Sequence, residues 1–366
     1  SLNDIDPQPT KNSGGTPTSK YSWSGGLIRV EGKVATQQTV PLQRLAERGE
    51  RVLHLESEPT GLSKGDVLII RQTYRVDNGF VEYLYNDDPS DTSKFVDGWN
   101  FSFPVRVAEV KGAQVHLQEP LRIRVSPEWG AVLQQQEWKL TESGVENLKI
   151  IFPDRAYEGH FKEQGFNAIA LSNVADCWVR NVTIRNADSG IMVSGRNNTL
   201  TGLKFEAPGI TPRQKGLTGH HGMILGGMDH LVSDFEYATT MIHDITLTKA
   251  STGSVIMDGK GVNLSLDHHK RAPFSNLFTN LDLGVGSRFT VSGGGAKLGR
   301  NAGGWNVYWN LRSEKPVVFP VGFGPKSIKL VGVPLKNSDE LEAKGTWVET
   351  KPVEPTNLYL AQKERR

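Results

Sequence analysis

Six of the nine histidines crowd into four short segments: Gly219-His220-His221-Gly222, Asp229-His230, Ile242-His243-Asp244-Ile245 and Asp267-His268-His269-Lys270-Arg271. Imidazole exchanges a proton near neutral pH without needing a shifted pKa, so His243 or His268 can serve as a general base. Asp244 or Asp267 would orient that imidazole. Arg288, with Lys270 and Arg271, would grip an anionic group, the guanidinium bidentately. His220, His221 and His269 extend the same band as binding residues. Two other chemistries fit these residue types. Asp244 and Asp267 could act as a carboxyl pair in acid–base hydrolysis, which needs a separation of about 5–5.5 Å or 6.5–9.5 Å. His220, His221, His243 and His268 could ligate zinc, although no His-x-x-x-His spacing supports it. A divalent ion, calcium or zinc, is therefore a minor alternative, and no cofactor is assigned.

For these residues to meet, successive stretches of chain must stack. Aligning the apolar pairs Met223/Leu225, Ile245/Leu247 and Phe289/Val291 puts His221 and His243 in one column and Asp244 and Arg288 in the next. Asp267 then falls five residues along the face from His243, about 17 Å at the usual strand rise. Counting at an interval of about 23 residues instead stacks His221, Asp244 and Asp267 about 5 Å apart per layer. Both registers are open at this point.

Such columns need a repeating scaffold, and the chain has one from residue 145 onward. Apolar pairs of the form Φ-x-Φ recur about every 22 residues between Asn, Gly, Asp and Ser. One series is Val179-Arg180-Asn181-Val182-Thr183-Ile184, Leu200 to Phe205, Leu231 to Phe235 and Asn276 to Leu283. A second interleaves as Ile191-Met192-Val193, Met223 to Leu225, Ile245 to Leu247, Leu264 to Leu266 and Phe289 to Val291. Two strands per repeat with turn residues between them predict a stacked β-solenoid. A β-sandwich would show hairpin dipeptides between strands; the one Asn-Gly, Asn78-Gly79, lies outside this region. The sequons at Asn181, Asn197 and Asn263 read as ladder or turn asparagines.

The remaining segments read differently. Residues 1–20 are a polar, Pro/Gly/Ser/Thr-rich lead-in expected to be flexible. Residues 21–136 hold a first coil strand, Leu27-Ile28-Arg29-Val30, and a compact β unit. Within that unit Pro41 to Arg48, closed by Gly49, predicts a helix, and Asn86 to Asp91 a solvated acidic loop. The solenoid covers 137–335, and a charged tail, 336–366, is expected to pack over its open end, which otherwise exposes unpaired backbone. Trp305-Asn306-Val307-Tyr308-Trp309 follows Gly293-Gly294-Gly295; Trp305 and Trp309 could stack on ring-shaped ligands, with at least one of them expected in the core. The glycine run lacks the context of a phosphate loop.

Composition narrows the class. With 42 basic and 40 acidic residues in 366, the net charge is +2, too even for a nucleic-acid platform. No apolar run reaches the ~18 residues of a membrane span. The single cysteine, Cys177, rules out a disulfide framework. The chain starts at Ser with no charged-then-apolar leader, which reads as a processed or trimmed chain.

Gly144-Val145-Glu146-Asn147-Leu148-Lys149-Ile150 and Asp176-Cys177-Trp178-Val179-Arg180-Asn181-Val182-Thr183-Ile184 resemble coils of the pectate-lyase-like superfamily. The resemblance covers roughly 137–335 and implies an all-β, right-handed parallel β-helix, of which some N-terminal coils are expected to be missing from this chain. It implies a secreted or periplasmic carbohydrate-active protein with a polysaccharide partner. Joined to the His/Asp band, it yields an expected lyase that cleaves an acidic, uronic-acid-containing glycan by β-elimination. Glycoside hydrolysis by Asp244/Asp267 and a non-catalytic, adhesin-like binding solenoid are the alternatives. No residue pattern fixes an oligomeric state.

Overall fold

The computed structural model describes residues 1–5, 11–13, 16–213 and 216–365. Its main body is a parallel β-helix. A long sheet stacks nine strands in sequence order: Gly144–Ile151, Trp178–Arg185, Thr199–Glu206, Leu231–Tyr237, Val255–Gly261, Leu277–Asp282, Val307–Arg312, Lys329–Val331 and Trp347–Glu349. A shorter sheet stacks six: Ile28–Glu31, Asn167–Ala175, Ser189–Arg196, His221–Leu225, His243–Leu247 and Leu266–His268. Between them lies one continuous core, with Val179, Leu200, Val232, Ile256 and Phe278 from one side and Ile191, Met223, Ile245 and Leu266 from the other.

The first seven long-sheet strands each bend at one residue in the left-handed backbone region, and the eighth is followed by one. The column runs Asn147, Asn181, Gly202, Asp234, Asp258, Asn280, Asn310 and Gly332, with φ between 49° (Asp234) and 69° (Gly332). Only Asn, Asp and Gly occur there, the types that reach this region most cheaply. Neighbouring corners bond to one another: Asn181 Nδ2 donates to Asn147 Oδ1 at 3.1 Å and Asn280 Nδ2 to Asp258 Oδ1 at 2.6 Å. The asparagine ladder expected from composition is thus a row of bends.

In the shorter sheet Ile191, Met223, Ile245 and Leu266 align, as do Val193, Leu225, Leu247 and His268. The coil after His243–Leu247 therefore aligns on Leu266 and His268, two residues beyond the expected pair Leu264/Leu266, and Phe289/Val291 forms no further strand of this sheet. Phe289 is buried in the core, but Val291 is exposed and the segment is a turn. Both anticipated registers change as a result. His221 does pair with His243, whereas Asp267 pairs with Thr246.

Between the first two strands of the shorter sheet the chain builds a separate six-stranded antiparallel sheet, in the order Val34–Pro41, Val132–Trp138, Val67–Thr73, Asn100–Lys111, Gln114–Leu117 and Val52–His54. It has its own core around Leu53, Ile70, Phe80, Phe103 and Val107, shared with Ala272, Phe274 and Leu298 of the solenoid. The helix expected over 41–48 is not formed. Leu42 bridges Leu55 and Ala46 bridges Val125, with Gln43 N–H on the His54 carbonyl at 2.8 Å; cross-chain backbone partners outweigh local helix preference. The acidic loop is tied down through Arg300 to Asp88.

Of the lead-in, residues 6–10 and 14–15 lie outside the described residues; Leu2–Ile5 form a helical turn with Leu2 buried, and Lys11–Ser13 pair antiparallel with Thr16–Thr18. At the other end Leu341 closes the core. Residues 353–358 then run back along the long sheet, where Asn357 donates to Asp258 at 2.9 Å. Among the described residues no helix is long and apolar enough to cross a membrane.

Candidate functional site

The paired column His221–His243 ends the shorter sheet at an edge where the neighbouring His220 and histidines from two other segments gather. The His221 ring lies 5.2 Å from that of His243, the His243 ring meets that of His269 edge-on at 5.7 Å, and His220 stacks on His221 at 3.9 Å. His160, from the loop after Arg155–Tyr157, completes the cluster. Its exposed ring stacks on Phe161 at 3.7 Å and meets His220 edge-on at 4.6 Å and His243 at 6.5 Å. Trp23 closes the far side of His220 at 5.9 Å.

Asp267 sits at the centre, with no exposed side-chain surface. Its Oδ2 lies 3.0 Å from His269 Nδ1 and 3.4 Å from His243 Nδ1, and accepts from Thr246 Oγ1 at 3.0 Å. Its Oδ1 accepts the Gly293 N–H at 2.8 Å. Burial alone would raise this carboxyl, but the hydrogen bond from His269, the charges of His243 and His269 and the Gly293 amide outweigh it and hold Asp267 below the usual range. The imidazoles go the other way. Burial pushes His243 down to about 4 against the pull of Asp267. His220 and His221 lie well below the ordinary value, through burial first and neighbouring imidazoles second. His160 is lowered by the same desolvation. At neutral pH the site is an ionised carboxylate beside the neutral imidazoles of His220, His221 and His243.

Several ring nitrogens in this cluster have no hydrogen-bond partner although they are buried: both of His220, Nε2 of His221 and Nδ1 of His243. Buried polar atoms are ordinarily satisfied, and an orphan costs about 1–3 kcal/mol. Behind His220, Glu163 accepts from Ser22 Oγ at 2.8 Å and Tyr157 OH at 2.9 Å, with His220 Nδ1 3.2 Å away; burial pushes its carboxyl up.

Other anticipated residues are placed elsewhere. His268 points into the solenoid core, fully buried, with Nε2 2.8 Å from Tyr308 OH and burial pushing it down to about 4. It occupies the inward slot that Val193, Leu225 and Leu247 fill in other coils, so it cannot touch a polymer. Asp244 is buried and its oxygens are taken: Met241 N–H at 3.0 Å, Ser265 N–H at 2.8 Å, Ser265 Oγ at 3.1 Å and Arg288 at 3.2 Å. Arg288 in turn donates to the carbonyls of Met241, Ile242 and Asn263. This pair buttresses the site and does not face solvent as a hydrolytic carboxyl or free cation. Lys270 Nζ donates to the Gly299 carbonyl at 3.0 Å, and Arg271 lies 5.6 Å over the Trp99 ring. Trp305 packs on Tyr83 at 5.2 Å, and Trp309 donates to the Pro355 carbonyl at 2.7 Å; neither joins the histidines.

His160, Glu163, Tyr157 and Trp23 escaped the sequence reading. They come from segments outside the coil register, so periodicity carries no signal for them. A groove of about 830 Å³ runs along the outside of the long sheet over Asn181, Gly202, Asp234, Asp258 and Asn280. It is lined by the corner column and lies away from the imidazoles.

Fold and site together define a parallel β-helix with a histidine-ringed carboxylate at one sheet edge. No family model matches the chain, and no curated protein matches it. Among solved structures it is similar to the tailspike protein gp49 of Pseudomonas phage LKA1 (13% identity, TM-score 0.38, covering 79% of this chain and 48% of that one). It is also similar to the tailspike gp61 of Pseudomonas phage phi297 (14%, 0.33, 84% and 66%) and to the gp54 tailspike of Acinetobacter baumannii bacteriophage AP22, solved in complex with A. baumannii capsular saccharide (11%, 0.29, 84% and 66%). The chain spans about half the length of the first and just under two thirds of the other two.

Proposed function

We propose that this protein cleaves an acidic, uronic-acid-containing polysaccharide by β-elimination at the histidine cluster, acting outside the cytoplasm where such polymers occur. The observation that carries the reading is Asp267, buried and held in its ionised form, with the imidazoles of His269 and His243 on its Oδ2 at 3.0 and 3.4 Å. Elimination needs a neutral base at the carbon beside the sugar carboxylate and positive character at that carboxylate. His160 is the exposed imidazole of the cluster and is kept neutral by its partial burial; it takes the proton. The electron pair forms the carbon–carbon double bond, the glycosidic C–O bond breaks, and the leaving oxygen takes a proton from water. Asp267 accepts from His269 Nδ1 and so fixes the orientation of this partly exposed ring beside the substrate. Hydrolysis through Asp244 and Asp267 is the weaker reading because Asp244 is fully engaged.

The test is to incubate the protein with polyuronides and with neutral glycans while following the ultraviolet absorbance of unsaturated uronate alongside reducing ends. Both should rise on an acidic glycan, and His160→Ala should lower the rate by about 10²–10⁴-fold, the usual contribution of a general base. Reducing ends without the absorbance would sink the elimination and make the protein a hydrolase. Binding without either product would make it an adhesin-like solenoid.

A further inference from the structure

We propose that His243 Nδ1, Asp267 Oδ2 and His269 Nδ1 form a binding site for a divalent transition-metal ion, with zinc the best fit. These three atoms lie within 4.8 Å of one another. The carboxylate oxygen is 3.4 Å from one nitrogen and 3.0 Å from the other. Zinc bonds of about 2.0–2.1 Å in tetrahedral geometry place ligand atoms about 3.3–3.4 Å apart, so both N···O spacings match an ion within tenths of an ångström, and the two nitrogens, within 4.8 Å of each other, close on it by rotation of the imidazoles.

A second observation is independent of this spacing. His243 Nδ1 is buried and makes no hydrogen bond, its approach to Asp267 not being aligned as one. An ion between them would satisfy the orphan nitrogen. The outer shell is also built. Asp267 is held by Thr246 Oγ1 and the Gly293 N–H, as metal-ligating carboxylates generally are. Gly293 closes over the imidazoles, for a Cβ there would fall 2.4 Å from His269 Cε1 and 3.1 Å from His243 Nε2. Two nitrogens and one carboxylate oxygen suit zinc and its transition-metal neighbours; calcium and magnesium prefer oxygen throughout.

The ion's role rests on the elimination reading, whereas its binding does not. One carboxylate and two neutral imidazoles leave a bound divalent ion with net positive charge. With the Arg288 guanidinium committed to Asp244, that ion would face the sugar carboxylate, and His160, outside the ligand set, would keep its part as base.

The experiment uses the full, untagged chain, stripped with a chelator and titrated calorimetrically with zinc chloride alone, then with cobalt(II) followed by its visible absorption. One equivalent of zinc and the intense bands of low-coordinate cobalt are expected, with excess calcium unable to displace either. His269→Ala, at a partly exposed position that leaves folding intact, should weaken zinc binding by about 100-fold, and Gly293→Ala by about tenfold, within the range seen when supporting shells are disturbed. Absence of stoichiometric binding, or unchanged affinity in His269→Ala, overturns the site. Zinc bound here without unsaturated product on any polyuronide leaves the site standing and removes the elimination. Full elimination by the stripped protein removes the ion's catalytic role.

Discussion

The two sheets of the solenoid use polar residues at their bends in opposite ways. Along the long sheet the corner column of Asn, Asp and Gly carries side-chain bonds from Asn181 to Asn147 and from Asn280 to Asp258, and the buried Asn276 beside it is saturated. Asn276 Nδ2 donates to the carbonyls of Ser251 and Phe274 and to Asn306 Oδ1, while its Oδ1 accepts the Ser254 N–H. At the edge of the shorter sheet the polar residues are imidazoles, and several of their nitrogens have no partner. Satisfied polar groups fix a fold, whereas buried groups left unsatisfied carry a cost that a ligand, an ion or a water would relieve. Isolated unpartnered atoms such as Ser251 Oγ, Thr252 Oγ1 and Ser275 Oγ also occur in the scaffold; at the histidines they are concentrated in one cluster of imidazoles.

Acid should break the comparison most visibly. His243 and His268 titrate at about 4 when folded, well below the 6.5 of an unfolded imidazole. A group whose folded pKa is depressed contributes full stability above its unfolded value and loses it as pH falls toward the folded one. Stability is therefore expected to fall between about pH 6.5 and 4, by on the order of 3 kcal/mol for each of these two residues. Thermal melts across that window check this; a flat Tm from 7 to 4 would mean that the histidines are hydrated and chargeable.

A smaller effect is expected on the scaffold side. Asn276→Ala strands the Ser254 amide and two carbonyls and should cost about 2–3 kcal/mol, read as a lower denaturation midpoint with unchanged turnover per folded molecule. If turnover fell while stability held, the division between sheets would be wrong. Smallest is the corner itself: Asn181, at φ 53°, should lose about 1 kcal/mol on substitution by alanine and almost nothing by glycine. Equal losses for both would locate its contribution in the side-chain bond to Asn147 and not in the backbone.

The stacking of coils was legible because the inward position repeats: Val179, Leu200, Val232, Ile256 and Phe278 announce themselves by type. The pairing of His221 with His243 followed from the same rule. Asp267 and His268 were misjudged because His268 takes an inward slot that apolar periodicity assigns only to apolar residues, so the apolar pair falls at Leu264/Leu266, two residues early. Recognising that a histidine can replace Val or Leu beside Tyr308 brings Asp267 from five residues along the face to three, about 10 Å at strand spacing, and the side chains of Asp267 and His243 close the rest. The commitment of Arg288 to Asp244 was half visible as a shared column, but the three carbonyls that engage the guanidinium lie in turns. His160 was illegible for a different reason, since a loop outside the register reaches the site only through tertiary folding.

The antiparallel unit bears on how quickly the first coil can close. Ile28–Glu31 must find Asn167–Ala175, a partner well over a hundred residues away in the chain, and such distant contacts slow folding because loop entropy is lost before they form. Val34 pairs with Trp138 and Ala35 with Glu137 at the base of the inserted unit. Once that unit has folded around its own core, its two ends emerge side by side, and the effective loop shrinks to the residues outside it. The insertion therefore acts as a kinetic shortcut, delivering the first strand to the growing stack as if its partner were nearly next in sequence.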